Sequence, residues 1–201
     1  MTPARLKLSL ILAGAAFSAL VMLAWTQDWF VVTLDDGASL PIAGEVAAGG
    51  LSALALAGFA LVVAISIAGP VFRVILGVLE ALLGVAVVAS AAVALGNPVG
   101  ASSPRISEAT SIAGEGPIAE LVADVSVSVW PAVAIVAGVL LVAVGIAMVL
   151  TARRWPGSSR KYQAVRLEPA TEKRTSVDDW DSLTGGDDPT GDEPAPAEPP
   201  R

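Results

Sequence analysis

The chain of 201 residues contains no cysteine and no histidine. Without cysteine there can be no disulfide framework and no thiolate nucleophile or thiolate metal ligand. Without histidine, the commonest general base and the commonest transition-metal ligand are both missing. Charge is also scarce: 15% of residues are Asp, Glu, Lys or Arg, against about 25% in a typical soluble domain. No phosphate-cradling loop of the P-loop kind and no G-x-S-x-G nucleophile elbow occurs. A serine nucleophile would lack its usual base, and most carboxylates sit in segments of flexible composition, a poor basis for preorganised catalysis. These absences argue against an enzyme. No cofactor, no metal and no nucleic-acid partner is expected.

What is present is apolar and comes in runs. Hydrophobic residues make up 54% of the chain. Four runs are candidates to span a bilayer: 8–25, 46–69, 74–95 and 130–152. A hydrocarbon core of about 30 Å takes about 20 helical residues, with a range of about 17–25. Because hydrocarbon offers no hydrogen bonds to the backbone, each run is expected to be a helix. Arg5 and Lys7 before the first run give it the look of a signal peptide. The run is longer than a signal core of about 7–15 residues, however, and no small-x-small cleavage site precedes Trp25.

The basic residues orient the spans. Arg5 and Lys7 precede the first, Arg73 lies in the short link "PVFR", and seven Lys and Arg occupy 153–174. The loop 26–45 has none, and the loop 96–129 has Arg105 alone among Glu108, Glu115, Glu120 and Asp124. The positive-inside rule therefore puts both termini in the cytoplasm and both long loops outside a plasma membrane. Residues 153–201 form a cytoplasmic tail. Its first half, 153–174, is basic and suits anionic headgroups. Its second half is acidic, rich in Pro and Gly, and expected to be disordered.

Five tryptophans punctuate this plan. Trp25, Trp29 and Trp130 fall at the outer ends of spans and Trp155 at an inner end, where amphipathic indoles form interfacial belts. The same rings could instead make a stacking surface for an aromatic ligand. Trp180 stands apart in "DDWDSLTGGDDPT". An isolated bulky aromatic among acids suits a short motif read by a cytoplasmic partner.

The outer loops predict a small extracellular cap. "WFVVTL", "DDG" and "ASLPIAG" read as a β-hairpin, with Pro41 confining the second strand to an edge. In "PIAELVADVSVSV", Ile118, Leu121, Val122, Val125 and Val129 fall at helical spacing after Pro117 and predict an amphipathic helix.

Glu80 is the ionisable residue placed deep within a span. Intramembrane carboxyls are rare and are functional candidates by default. Gly77, Ala81 and Gly84 surround it on the helix, and small residues let helices approach closely, so Glu80 is expected to face the bundle interior. A structural role is the alternative: a hydrogen bond to a hydroxyl such as Ser66, or reach toward Arg73 seven residues away. Gly49, Ala53 and Ala57, then Ala60, Ala64 and Ala68, and Gly138 with Gly145, read as packing seams.

Three stretches, "AWTQDWFVVTL", "ARRWPGSSRKYQ" and "DDWDSLTGGDDPT", together resemble the tryptophan-associated transmembrane protein family of high-GC Gram-positive bacteria. The resemblance covers most of the chain. It implies an association with tryptophan metabolism and brings no catalytic or binding residue with it.

The reading is an all-α membrane protein: a four-helix bundle in residues 1–152, a cap of hairpin plus helix, and the tail. The expected function is a non-enzymatic accessory or scaffold, with the bilayer, a second copy or membrane partner, and a cytoplasmic partner of the tail as its contacts. The alternative is a transporter or transport subunit for tryptophan or a related aromatic, which four spans would require to oligomerise. Because the chain has no cysteine, single cysteines report its orientation. Asp36→Cys and Ser111→Cys are expected to react with a membrane-impermeant thiol reagent in intact cells, and Ser182→Cys only after lysis. Labelling of Ser182→Cys in intact cells would reverse the assignment.

Overall fold

The computed structural model describes residues 3–152. The tail, with Trp155, Trp180 and its basic and acidic halves, lies outside the described residues. Helix α1 (Pro3–Trp25) is followed by strands β1 (Asp28–Leu34) and β2 (Ser39–Ala43), a single turn α2 (Gly44–Ala47) and helix α3 (Leu51–Ile67). Then come α4 (Pro70–Gly96), α5 (Pro98–Thr110), α6 (Glu115–Leu121), β3 (Val122–Val127) and α7 (Trp130–Thr151).

Three helices are long and apolar enough to cross a membrane: Arg5–Trp25, Pro70–Gly96 and Trp130–Thr151. This corrects the expectation of four runs long enough to span: three helices meet that length. The run 46–69 does not make one helix. It breaks at Ala48–Gly50, and the apolar helix that follows is 17 residues long. The physical cause is the Gly49–Gly50 pair, since glycine has the lowest helix propensity after proline. At the other end α3 stops at Ile67, because Pro70 disfavours helical backbone in the residue before it. Pro70 instead opens α4 at a position where its missing N–H costs nothing. The "PVFR" link is thereby the first turn of α4, and Arg73 is buried on that helix.

The α4–α7 pair is the tightest part of the bundle. Buried residues of α4 include Arg73, Gly77, Glu80, Gly84, Val87, Ala91 and Ala94, alternating four and three apart. Those of α7 include Pro131, Ala134, Gly138, Leu141, Gly145 and Met148. This is the spacing of two helices that pack along a narrow seam. Gly84 meets Gly138 and Gly77 meets Gly145, so the helices run antiparallel. A Cβ on Gly84 would lie 2.6 Å from the Gly138 carbonyl oxygen, and one on Gly145 would lie 2.5 Å from the Ala81 nitrogen. The backbones therefore touch directly. Helix α1 packs against both α7 and α3, and α3 against α4, closing the ring.

At one end of the bundle sits the cap. Its hairpin forms as expected. The Gly37 N–H donates to the Leu34 carbonyl at 2.9 Å, and the Leu34 N–H to the Ala38 carbonyl at 2.8 Å. Gly37 supplies the positive φ of 83° that this three-residue loop needs. The Asp36 carboxylate accepts the Ala38 N–H at 2.9 Å. Pro41 lies on β2, an edge of the sheet, as its missing N–H requires.

The sheet has a third strand, in the order β2-β1-β3, and the expected helix over 117–129 is cut short. Helix α6 ends at Leu121, and Val122–Val127 pairs antiparallel with β1. Valines at 122, 125 and 127 favour extended backbone, and the second side of β1 offers a complete ladder. The Asp35 N–H bonds to the Leu121 carbonyl and the Ser128 N–H to the Trp29 carbonyl, closing both ends of that ladder. Helix α5 was not expected at all. Asn97 caps it by accepting the Gly100 N–H at 2.9 Å, and Pro98 opens it. Its polar composition hides it from an apolar-periodicity reading. Ile106 of α5 and Ile118 of α6 join Phe30, Val32 and Ile42 in the buried core.

Glycine contact makes the seam sensitive to added bulk. Gly145→Val is expected to lower stability in detergent by about 1–3 kcal/mol through overpacking, whereas Gly50→Ala, with nothing within 4 Å of its Cβ position, is expected to leave it unchanged or raise it slightly. Thermal unfolding followed by circular dichroism distinguishes the two.

Candidate functional site

Glu80 is fully buried, and neither carboxylate oxygen has a hydrogen-bond partner. Its position is set by Gly14 on α1. A Cβ added there would meet Val62 of α3 at 3.1 Å, Glu80 Oε1 at 3.5 Å and Val144 of α7 at 3.8 Å. Groups from α3, α4 and α7 thus meet at Gly14 of α1, and the glycine leaves room for the carboxyl. Along α1, Gly14 is nine residues from Arg5, about 14 Å of rise. The carboxyl is therefore level with the middle of the apolar span Arg5–Trp25.

Neither structural partner anticipated for Glu80 is in place. The Ser66 hydroxyl donates to its own helix at the Val63 carbonyl, 2.6 Å away, and the Ser66 carbonyl accepts from Lys7 Nζ at 2.9 Å. Arg73 shares the buried stripe of α4 but makes no hydrogen bond to Glu80. A second polar group lies nearby on α1. Ser18, one turn beyond Gly14, is fully buried, and its hydroxyl is also without a partner. It is packed against Gly58 of α3, where a Cβ would overlap the hydroxyl. Sequence reasoning did not single out Gly14 or Ser18. The available signal was their i, i+4 spacing of small residues in an apolar helix.

An unpaired carboxyl in this setting has limited chemistry. Ionised, it is costly so far from water. Protonated, it can donate one hydrogen bond. Gly14, Val62 and Val144 are apolar groups around it. Among the described residues, no group of three His, Cys, Asp or Glu could hold a metal ion.

The tryptophans separate into two kinds. Trp29 is fully buried in the cap core, which corrects its assignment to an interfacial belt or an open stacking surface. Its Nε1–H donates to the Ala24 carbonyl at 2.8 Å, and its ring meets Phe30 edge-on, with centroids 6.4 Å apart. Gly44 covers it, since a Cβ there would come within 2.6 Å of the indole nitrogen. The indole is a bolt between the end of α1 and the sheet. Trp25 and Trp130 are half-buried at the cap ends of α1 and α7. The Trp25 Nε1–H is enclosed without a partner.

Cavities with polar linings border the cap, and an apolar one of about 270 Å³ lies along α4 and α7 beside Val78, Leu82 and Ile146. Of the polar cavities, one of about 350 Å³ is bordered by Asp28, Glu45 and Glu108 together with Arg105, which is paired to Glu108 at 2.7 Å. Another, of about 550 Å³, lies where α2, α4 and α5 meet beside Glu115.

The fold and its polar core define a mostly helical transmembrane protein with three candidate spans and a small sheet-bearing cap. Its sequence matches the model of the tryptophan-associated transmembrane protein family over residues 11–190, and the chain belongs to that family. No curated protein and no solved structure shows a significant match.

The Trp29 bolt yields a direct expectation. Trp29→Phe keeps most of the apolar burial but loses the bond to Ala24, so stability is expected to fall by about 1 kcal/mol. Gly44→Val, forced against the indole and the Trp25 carbonyl, is expected to cost more. Thermal unfolding of both variants in one detergent checks the order.

Proposed function

We propose that the chain is a non-enzymatic accessory protein of the plasma membrane. In this reading a helical anchor holds an acidic cap outside the cell and a tail in the cytoplasm. The carrying observation is the α4–α7 seam. Backbone contact through Gly77, Gly84, Gly138 and Gly145 closes the seam between these two helices at those positions. The cavities with polar linings lie at the cap, and the one bordered by α4 and α7, about 270 Å³, is lined by apolar residues such as Val78, Leu82 and Ile146.

Within this reading α3 is a fourth crossing. Its 17 residues span about 25 Å, at the short end of the range for a membrane helix. Connectivity favours it. Helix α1 ends at the cap and α4 begins at the opposite end, so α3 must carry the chain back between them. The Lys7–Ser66 hydrogen bond ties the start of α1 to the end of α3. Orientation follows from charge. Arg5, Lys7 and Arg73 lie at the end away from the cap, while the cap segments carry eight carboxylates against Arg105 alone. The positive-inside rule then puts the cap outside and both termini inside.

A second reading, transport of tryptophan or a related aromatic coupled to a proton, is favoured by one observation: Glu80 is buried at the centre of the bundle with both oxygens unpartnered. One experiment separates the two. Uptake and efflux of labelled tryptophan are measured across a pH range in cells expressing the wild type or Glu80→Gln at matched levels. The accessory role predicts the same flux in both and in cells lacking the gene. Flux that depends on pH in the wild type and vanishes with Gln, which cannot titrate, would replace it with the transporter.

A further inference from the structure

The cavity of about 550 Å³ beside Glu115 falls in the size range of small-molecule sites, about 300–1,000 Å³. It exists because its walls are short. Alanines of α2, α4 and α5 and Gly100 line it, and larger side chains at these positions would fill it. Its two ends differ in chemistry. From Asn97 to Ala89 it runs along α4 for about 12 Å, passing Val93 and Ala94 toward a floor that is apolar apart from the Ser90 hydroxyl. At the other end stand Asn97 and Glu115. The Asn97 Oδ1 accepts the Gly100 N–H with one lone pair, and its second lone pair is left to accept from a donor on a guest. A smaller cavity of about 180 Å³ shares Asn97, Gly100 and Glu115 and extends this polar mouth to Ser103.

Glu115 is the one charged residue lining either cavity, and no ion pair neutralises it among the described residues. The surrounding cap segments are strongly acidic, with Arg105 their one basic residue, and a cleft within a field of one sign concentrates ligands of the other. An anionic ligand would meet Glu115 with no cation to offset it. We propose that this cavity binds a primary ammonium group carried on an apolar body, the head at Glu115 and Asn97 and the body along Ala89, Val93 and Ala94. Val93 is 74% exposed on the outer face of α4, so the cavity floor reaches the helix surface that lipid would cover. The ammonium can therefore come from a free amine or from an aminophospholipid.

The test uses the full chain in phosphatidylcholine nanodiscs and isothermal calorimetry, with empty nanodiscs subtracted. Three probes of one shape are compared: 2-phenylethylamine, 2-phenylethanol and 3-phenylpropionate. The amine is expected to bind saturably and about tenfold more tightly than the alcohol, as a hydrogen bond to a charged group allows, and the acid not at all. Glu115→Gln is expected to erase the preference for amine while sparing the alcohol. Ala89→Leu, at the exposed end of the floor, is expected to weaken both. An unchanged thermal midpoint shows that each variant is folded. Repeating the titration with phosphatidylethanolamine in the discs identifies the source. Either result supports the site: competition marks the lipid as occupant, and its absence marks the free amine. Equal binding of amine and alcohol, no saturable binding of the amine, or a preference that survives Glu115→Gln would overturn the proposal.

Discussion

Backbone contact between α4 and α7 sets the geometry on which the other elements depend. In hydrocarbon the gain from burying apolar side chains is small, because lipid tails are as apolar as leucine, and close packing must supply the association. Gly77 and Gly84 facing Gly145 and Gly138 bring the helix axes near enough for main chain to meet main chain. Once that pair is fixed, α1 and α3 have a defined surface to fill. Gly14 and Gly58 then repeat the same device on their own helices, one beside Glu80 and the other beside Ser18.

That close approach also explains the buried polar groups. A bundle with larger residues at these positions would be wider and could admit water to a central carboxyl. Here Glu80 and Ser18 are enclosed with no partner on any helix. Lys7 is held at the end of the bundle by the Ser66 carbonyl rather than reaching inward. The polar centre is therefore isolated from the charged end, and any role for Glu80 has to work through a group or proton that reaches it between tightly packed helices.

The cap depends on a different interaction. A two-stranded hairpin is marginal by itself. This one is stabilised by a third strand and by Trp29, whose indole binds the last turn of α1 through the Ala24 carbonyl. Tryptophan here acts as a large apolar body with a single hydrogen-bonding point, the same property that places other tryptophans at membrane interfaces. Position in the chain did not distinguish the two uses. Trp25 and Trp29 are four residues apart, yet the first ends a helix and the second lies in a strand.

Much of this architecture is legible in the sequence by itself. Run length and apolar composition determine that α1, α4 and α7 are helices suited to a membrane, because a backbone without water must bond within its own segment. The Asp-Asp-Gly turn and Pro41 determine the hairpin and its edge, because φ and the missing N–H are local properties. The small residues around Glu80 determine that it faces inward. Tertiary structure decided the rest. Val122–Val127 satisfies a helical spacing and a strand propensity at once, and the open side of β1 settles the choice. Burial of Trp29 requires Gly44 to fold over it from a separate segment. The solitude of Glu80 depends on which side chains four helices bring to one point, and the wide cavity beside Glu115 on the alanines that three elements turn toward each other. These are non-local contacts, and local spacing carries no record of which distant segment will supply the other half.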